Sequence, residues 1–299
     1  MRCAHSLCAL LLAAGCTTLD EVAAPAPHAI TPIAYDLLSP SGARALLLGS
    51  IHVARSQDWE LPPDLAAALE RADVLVFEVD LASIDGADGL RMASQLGTLP
   101  PGLQLRDLIS AETWALLEQR APELGVPLEP LQRFEPWLVA LEFMTRSLDE
   151  AGYGSEHGVE WAIRRRASSK PLRGLETPRD QYRVFDALPP TLQDRMLRDA
   201  LDPQATRTLT QLVDAWRRGD GQTLETILFE DRDDPQMAPL YAALYTLRNQ
   251  RMATALAGIL LHARNAFVVV GVGHLLGEGS LPELLVRRGF RVRRRGASP

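Results

Sequence analysis

The sequence predicts an α/β fold of the mixed α+β kind: a central mixed sheet flanked by helices, with a large helical insertion. Three observations carry this. Apolar runs at 74–79 and 266–272 are short and rich in Val, as in strands buried on both faces. Two distant segments share one order of signals: strand, Gly-x-x-His, loop, Leu-Pro, helix, strand. The first runs through Gly49-Ser-Ile-His52 and Leu61-Pro-Pro-Asp64, the second through Gly271-Val-Gly-His274 and Leu281-Pro-Glu283. A pseudo-repeat of this kind places its two strand ends side by side in one sheet. The residues between the two units carry helical periodicity, and they form the insertion.

The elements follow in order. Residues 33–38 and 43–53 read as strands joined by the turn Ser39-Pro40-Ser41-Gly42. A short helix at 64–71 follows Pro62-Pro63, and 74–79 is the third strand. Ser110 is a helix cap for 110–120. Residues 136–151 place Leu138, Leu141, Phe143, Met144 and Leu148 at helical spacing. A further helix is expected at 156–167 and a short strand at 171–175. Residues 179–201, 203–218 and 235–263 read as helices, each with a Pro near its start. The strand at 266–272, a helix at 281–288 and a last strand at 290–294 complete the chain. Nothing inside 33–295 has the composition of a linker, so that span is expected to be a single domain, with 296–299 as a tail.

The chain has 299 residues and a formal net charge of -7, which argues against a nucleic-acid partner held through phosphates. Its three cysteines, Cys3, Cys8 and Cys16, all lie in the first sixteen residues. The domain therefore has no thiol nucleophile, thiolate metal site or disulfide. Arg2 and the apolar stretch 7–14 read as a signal peptide over 1–15, too short to span a bilayer. Leu12-Ala-Ala-Gly-Cys16 resembles a bacterial lipobox, which makes Cys16 a lipidation site and 16–32 a lipidated tether. Thr17, rather than Asp, follows the cysteine. The expected location is the bacterial envelope, lipid-anchored to the outer membrane and facing the periplasm, with the membrane itself as a partner.

Of six histidines, His5 and His28 fall in the signal and tether, leaving His52, His157, His262 and His274. His52 and His274 each stand three residues beyond a Gly at a strand's carboxyl end, where open α/β sheets bind ligands. Imidazole is the commonest protein metal ligand, and carboxylates often complete the shell. The plainer alternative is two histidines closing strand ends by hydrogen bonds. Glu78 ends the third strand and Glu176 the short fourth one. A charge in that position has a partner or a job. An Arg salt bridge for Glu78 and a helix cap for Glu176 are the competing readings. Arg248 and Asn249, adjacent on a long helix, have the chemistry to polarise a carbonyl or hold a carboxylate, or to serve as a buried ion pair and a capping amide. No His-Glu-x-x-His zinc helix is present.

The chain resembles the TraB/GumN family, related to the Tiki metalloproteases and the erythromycin-esterase/ChaN-like group. The resemblance is carried by Leu48-Gly-Ser-Ile-His-Val53, Leu75-Val-Phe-Glu-Val79, Leu131-Gln-Arg-Phe-Glu-Pro-Trp137, Gly174-Leu-Glu-Thr177 with Gln181, Trp216-Arg-Arg-Gly-Asp220, Arg248-Asn249 and Val270-Gly-Val-Gly-His-Leu275. It implies a mixed sheet with a helical insertion. It also implies His52, His274 and Glu78 as an active-site set, with Mn²⁺ or Co²⁺ as cofactor. One departure is Gly158-Val-Glu160, where the family usually has Gly-Val-Asp. The side chain is longer by a methylene, so Glu160 is not carried over as a ligand. Together these features lead to an expectation of metal-assisted hydrolysis of a peptide or small-molecule substrate. His52, His274 and Glu78 would be the metal ligands. Glu78, Glu176, Arg248 and Asn249 would be the catalytic carboxylates and polar groups. The alternative is a lipoprotein that binds metal, haem or peptide without turnover.

Overall fold

The computed structural model describes residues 30–296, apart from 57–58 and 85–86. The signal peptide, Cys16 and nearly all of the tether lie outside the described residues. Among the described residues no helix is long and apolar enough to cross a membrane.

Six strands form one mixed sheet: β1 (Ala34–Leu38), β2 (Arg44–Ser50), β3 (Val74–Phe77), β4 (Leu172–Gly174), β5 (Asn265–Gly271) and β6 (Arg291–Arg294). Their order is β4-β3-β5-β2-β1-β6. β2, β5, β3 and β4 run parallel, while at one edge β1 pairs antiparallel with β2, and β6 antiparallel with β1. Val74–Phe77 and most of β5 are buried throughout, as their unbroken apolar sequence requires. β2 and β3 stop short of the predicted 53 and 79. Pairing ends at Ser50 and Phe77, and the chain turns aside at the shared carboxyl end of the sheet.

That end is built as the pseudo-repeat demands. β2 and β5 are neighbours, with Gly49 opposite Val270 and Ser50 opposite Gly271. Phe77 lies opposite both Val269 and Gly174, so Glu78 and Glu176 emerge within one residue of the same level, and Glu176 N–H donates to the Glu78 carbonyl at 2.7 Å. The two units diverge only at their last strands. From β2 the chain passes through the helix Pro63–Arg71 to β3, parallel on the far side of β5. After β5 the helix Leu281–Arg287 leads to β6, antiparallel against β1.

The insertion packs its helices around this end. The predicted helix 179–201 is two helices, Pro178–Asp186 and Pro190–Leu201, because the consecutive prolines after Leu188 remove backbone donors and favour extended backbone before them. The predicted helix 235–263 is also divided. Ala238–Tyr241 leads into a π turn, Ala242–Thr246, before Leu247–Ile259. Ala87–Leu96 and Gly221–Leu228 are helices that the apolar spacing did not single out. Trp137, wholly buried, stacks on Phe185 with centroids 6.2 Å apart and ties two insertion helices together. Trp216 Nε1 donates to the Gly49 carbonyl at 2.8 Å, fastening the helix Ala205–Arg218 to the tip of β2.

Candidate functional site

Glu78 is the first residue beyond β3 and is only 4% exposed. Burying a carboxylate costs several kcal/mol unless it is paired and hydrogen-bonded. Here it has both kinds of partner. Oε1 accepts the Gly271 N–H at 2.6 Å, and Oε2 accepts from Arg248 Nη2 and from Gln181 Nε2 at 3.3 Å. Burial works to raise its pKa. Arg248, then His274 and His52, outweigh that and hold it near 2. Arg248 is itself 1% exposed and bridges to the second carboxylate: its Nε and Nη2 lie 2.9 and 2.8 Å from Glu176 Oε2. The guanidinium thus serves two acids, and Arg251, half exposed, supplements it at 3.5 Å from Glu176 Oε1.

His274 sits on a 3₁₀ turn, Val272–Leu275, directly after β5. Its Nδ1 lies 2.6 Å from Asn249 Oδ1. Asn249 Nδ2 donates to the Gly279 carbonyl at 2.9 Å, which fixes the amide with its oxygen towards the ring. An amide oxygen only accepts, so the neutral ring carries its proton on Nδ1 and bares the Nε2 lone pair. That lone pair is 3.6 Å from Glu78 Oε1. Burial, helped by Arg248 and His52 against the pull of Glu78, lowers the His274 pKa to about 3.

His52 is placed differently. It lies in the loop after β2 with its Nδ1 2.8 Å from Glu160 Oε1. Ser50 Oγ donates to the same carboxylate oxygen. Burial would lower this imidazole too. The charge and hydrogen bond of Glu160, with Glu78 behind, reverse that and raise it to about 9.

The two rings and Glu78 meet at Gly271. A Cβ added there would stand 3.1 Å from Glu78 Oε1, 3.4 Å from His52 Nε2 and 3.7 Å from His274 Cδ2. His52, His274 and Glu78 therefore meet at the carboxyl end of β5, where sheets of this kind have their binding crevice, and Glu176 is tied to them through Arg248. Arg248 and Asn249 are brought there as well. They are committed to Glu78 with Glu176 and to His274 with Gly279, rather than turned towards a substrate. His157 is apart from this group, 3.6 Å from Glu156.

Three further residues belong to the site and had no role assigned from sequence. Gln181 had appeared only as part of a motif. Ser50 lies between Gly49 and His52 and is wholly buried, a polar residue at a strand tip. Tyr245 packs its ring 5.5 Å from His274. Its spacing before Arg248 and Asn249 was the available signal. Burial raises its phenol well above the ordinary tyrosine range.

Among the described residues no three His, Cys, Asp or Glu side chains form a group drawn together to hold a metal ion. The donor chemistry nonetheless suits one. Both imidazoles have Nδ1 tied to an oxygen, which in metalloproteins orients the ring with Nε2 towards the metal. The His274 lone pair and an oxygen of ionised Glu78 face each other, a repulsive pairing that a cation or a water proton between them relieves.

Comparison with known proteins decides the kinship. The model of the TraB/PrgY/gumN family matches residues 37–294. The chain belongs to the TraB/PrgY/gumN family. Uncharacterized protein YbaP of Shigella flexneri is 26% identical over 259 residues, covering 84% of this chain and 91% of the relative. Uncharacterized protein YbaP of Escherichia coli K12 matches with the same identity and coverage. No solved structure matches. The family's match spans both Gly-x-x-His units, so the crevice lies wholly inside the shared region.

Proposed function

We propose that this member of the TraB/PrgY/gumN family is a peptidase-like hydrolase using a divalent cation, Mn²⁺ or Co²⁺, and that it works from the envelope, lipid-anchored through Cys16 to the outer membrane and facing the periplasm. The anchor and location rest on the lipobox-like sequence alone. The observation that carries the chemistry is the meeting of His52, Glu78 and His274, from three separate segments, around the bare backbone of Gly271. His274 Nε2 and Glu78 Oε1, joined by His52 Nε2 once that ring gives up its second proton to the incoming metal, are the groups that would hold the cation. Bound there, it would supply Lewis acidity and a water of lowered pKa. Asn249 keeps the His274 proton on Nδ1, away from the crevice. Arg248 keeps Glu78 ionised, as either a cation ligand or a proton acceptor must be. Glu176 balances the guanidinium, so Arg248 does not neutralise Glu78 alone.

A second reading is favoured by one observation. Arg248 and Asn249 have their polar groups engaged inside the protein, which leaves neither free to polarise a scissile carbonyl. That suits a lipoprotein that sequesters metal, haem or peptide without turnover. Metal analysis of the wild type beside the His52→Ala, His274→Ala double variant comes first, followed by hydrolysis of a peptide library with and without Mn²⁺. Metal in the wild type alone and Mn²⁺-stimulated cleavage lost in His52→Ala support the hydrolase. Tight binding with no cleavage supports the second reading, and equal metal content in both proteins removes the site from either.

A further inference from the structure

The helix Val159–Arg166 starts hard against the loop that carries His52. Its N-cap is Gly158, where any Cβ would collide with the His52 carbonyl, and Val159 N–H donates to the Ile51 carbonyl at 3.1 Å. This contact delivers Glu160, in the first helical turn and 5% exposed, to the back of the His52 ring. Glu160 Oε1 receives Ser50 Oγ–H and stands 2.8 Å from His52 Nδ1. A carboxylate accepts and does not donate when ionised, so Nδ1 must carry a proton for this contact to bind. The ring is then held with its Nε2 towards Gly271 and Glu78. A glutamate so placed does its work one residue removed from the crevice.

We propose that Glu160, steadied by Ser50, is the positioning residue for His52, fixing the ring with its proton on Nδ1 and its Nε2 presented to the crevice. This deepens the metal-hydrolase reading and rests on it for its purpose, but the positioning is measurable without it. Partners of metal-binding imidazoles typically contribute about 10–100-fold in metal affinity.

The test uses the full-length protein, wild type beside Glu160→Met and Glu160→Gln. Long-range ¹H–¹⁵N NMR on the metal-free protein reads the protonation of each ring nitrogen, and titration calorimetry reads affinity for Mn²⁺ alone. In Glu160→Met, His52 is expected to lose its fixed Nδ1 proton and Mn²⁺ affinity to fall by about 10-fold or more, with the His274 signals unmoved. Retention of the Nδ1 proton on His52 overturns the proposal, as does Mn²⁺ affinity within twofold of wild type. If Glu160→Met does not fold, Glu160→Gln decides. Its amide still accepts but lacks charge, so the His52 Nδ1–H resonance should move upfield, and an unmoved resonance overturns the proposal. If the wild type binds no Mn²⁺, the metal reading fails by itself and the NMR result still decides the role of Glu160.

Discussion

At the end of β2 the histidine hangs on an open loop and leans on a carboxylate. At the end of β5 it rides a 3₁₀ turn and leans on an amide. The two motifs have the same four-residue pattern, neighbouring strands and nearly matched register. Their electrostatics are opposite. Glu160 makes His52 the cationic ring of the pair, while burial beside Arg248 keeps His274 neutral. A sequence pattern can thus set where a side chain stands while residues far along the chain set its charge. The crevice consequently joins one proton-rich and one proton-poor imidazole to a carboxylate, an asymmetry that a repeated motif alone would not produce.

The largest contrast should appear on titration of the metal-free protein. NMR should show His52 titrating near pH 9 and His274 near pH 3, on either side of the ordinary 6.5. The effects on stability are opposite in sign. His52 binds its proton more tightly when folded, so its contribution is complete below about 6.5 and is lost as pH rises through 9. His274 binds its proton less tightly when folded, so its contribution is present above about 6.5 and is lost as pH falls towards 3. Glu78, held near 2, adds a loss below about 4.5 in the same direction as His274. Stability to denaturant should therefore peak near pH 6.5. A steady rise from pH 5 to pH 9 would show that the two imidazoles are not wired in opposition.

Arg248 is the group both halves share, and removing it should cost the most stability of any single substitution at the site. Arg248→Met leaves Glu78 and Glu176 buried without the cation they share, Glu176 keeping only the half-exposed Arg251, and breaking a buried pair costs about 3–5 kcal/mol. Glu78→Gln is milder, because Arg248 keeps Glu176. Loss of charged hydrogen bonds there should cost roughly 1–3 kcal/mol, with metal-dependent turnover abolished if Glu78 is ligand or base. Urea denaturation of the two variants separates them. A cost for Arg248→Met no larger than for Glu78→Gln would mean the guanidinium is not the shared counter-ion.

Much of this end of the molecule was readable from sequence. Apolar runs located β2, β3 and β5 because an interior strand must bury both faces. The exposed edge strands β4 and β6 carry no such run. The paired Gly-x-x-His signals placed β2 beside β5. Glu78 and Glu176 were legible as charges at the ends of apolar strands. Glu160 was noted only as a departure from the family's Gly-Val-Asp and was given no role, because nothing in the sequence tells that its helix starts against the His52 loop. Its burial depends on Gly158 letting the helix press against the His52 backbone. Asn249 was found, but not as the partner of His274, since the two are 25 residues apart in sequence and meet only through the fold. The π turn before Leu247 was also hidden, and it shifts the helical register around Tyr245 by a residue.

The glycines of the two motifs offer a finer comparison. At Gly49 a Cβ would stand 2.9 Å from Leu275 Cδ1 and 3.0 Å from Val272 Cγ2, inside the packed core. Gly49→Ala should therefore destabilise by about 1–3 kcal/mol through overpacking, read as a lower urea midpoint. If that midpoint is unchanged, the core around β2 is loose enough to take a methyl group.

Gly271 should respond in the reverse way, with the smallest change in stability. Its φ of -51° is open to any residue, so alanine brings no backbone strain. Replacing Gly where the backbone already suits alanine gains about 0.4–1 kcal/mol from the unfolded chain. The contacts the new Cβ meets are polar side-chain atoms at 3.1 and 3.4 Å, tight rather than impossible. These opposing effects should leave the thermal midpoint of Gly271→Ala within about 4 °C of wild type, a shift worth at most about 1–2 kcal/mol for a domain of this size. The methyl group nevertheless occupies the space between Glu78 Oε1 and His52 Nε2. Mn²⁺ binding should fall far more than stability does. If Gly271→Ala binds Mn²⁺ as the wild type does, no cation sits between those atoms, and the two imidazoles serve the crevice without sharing one.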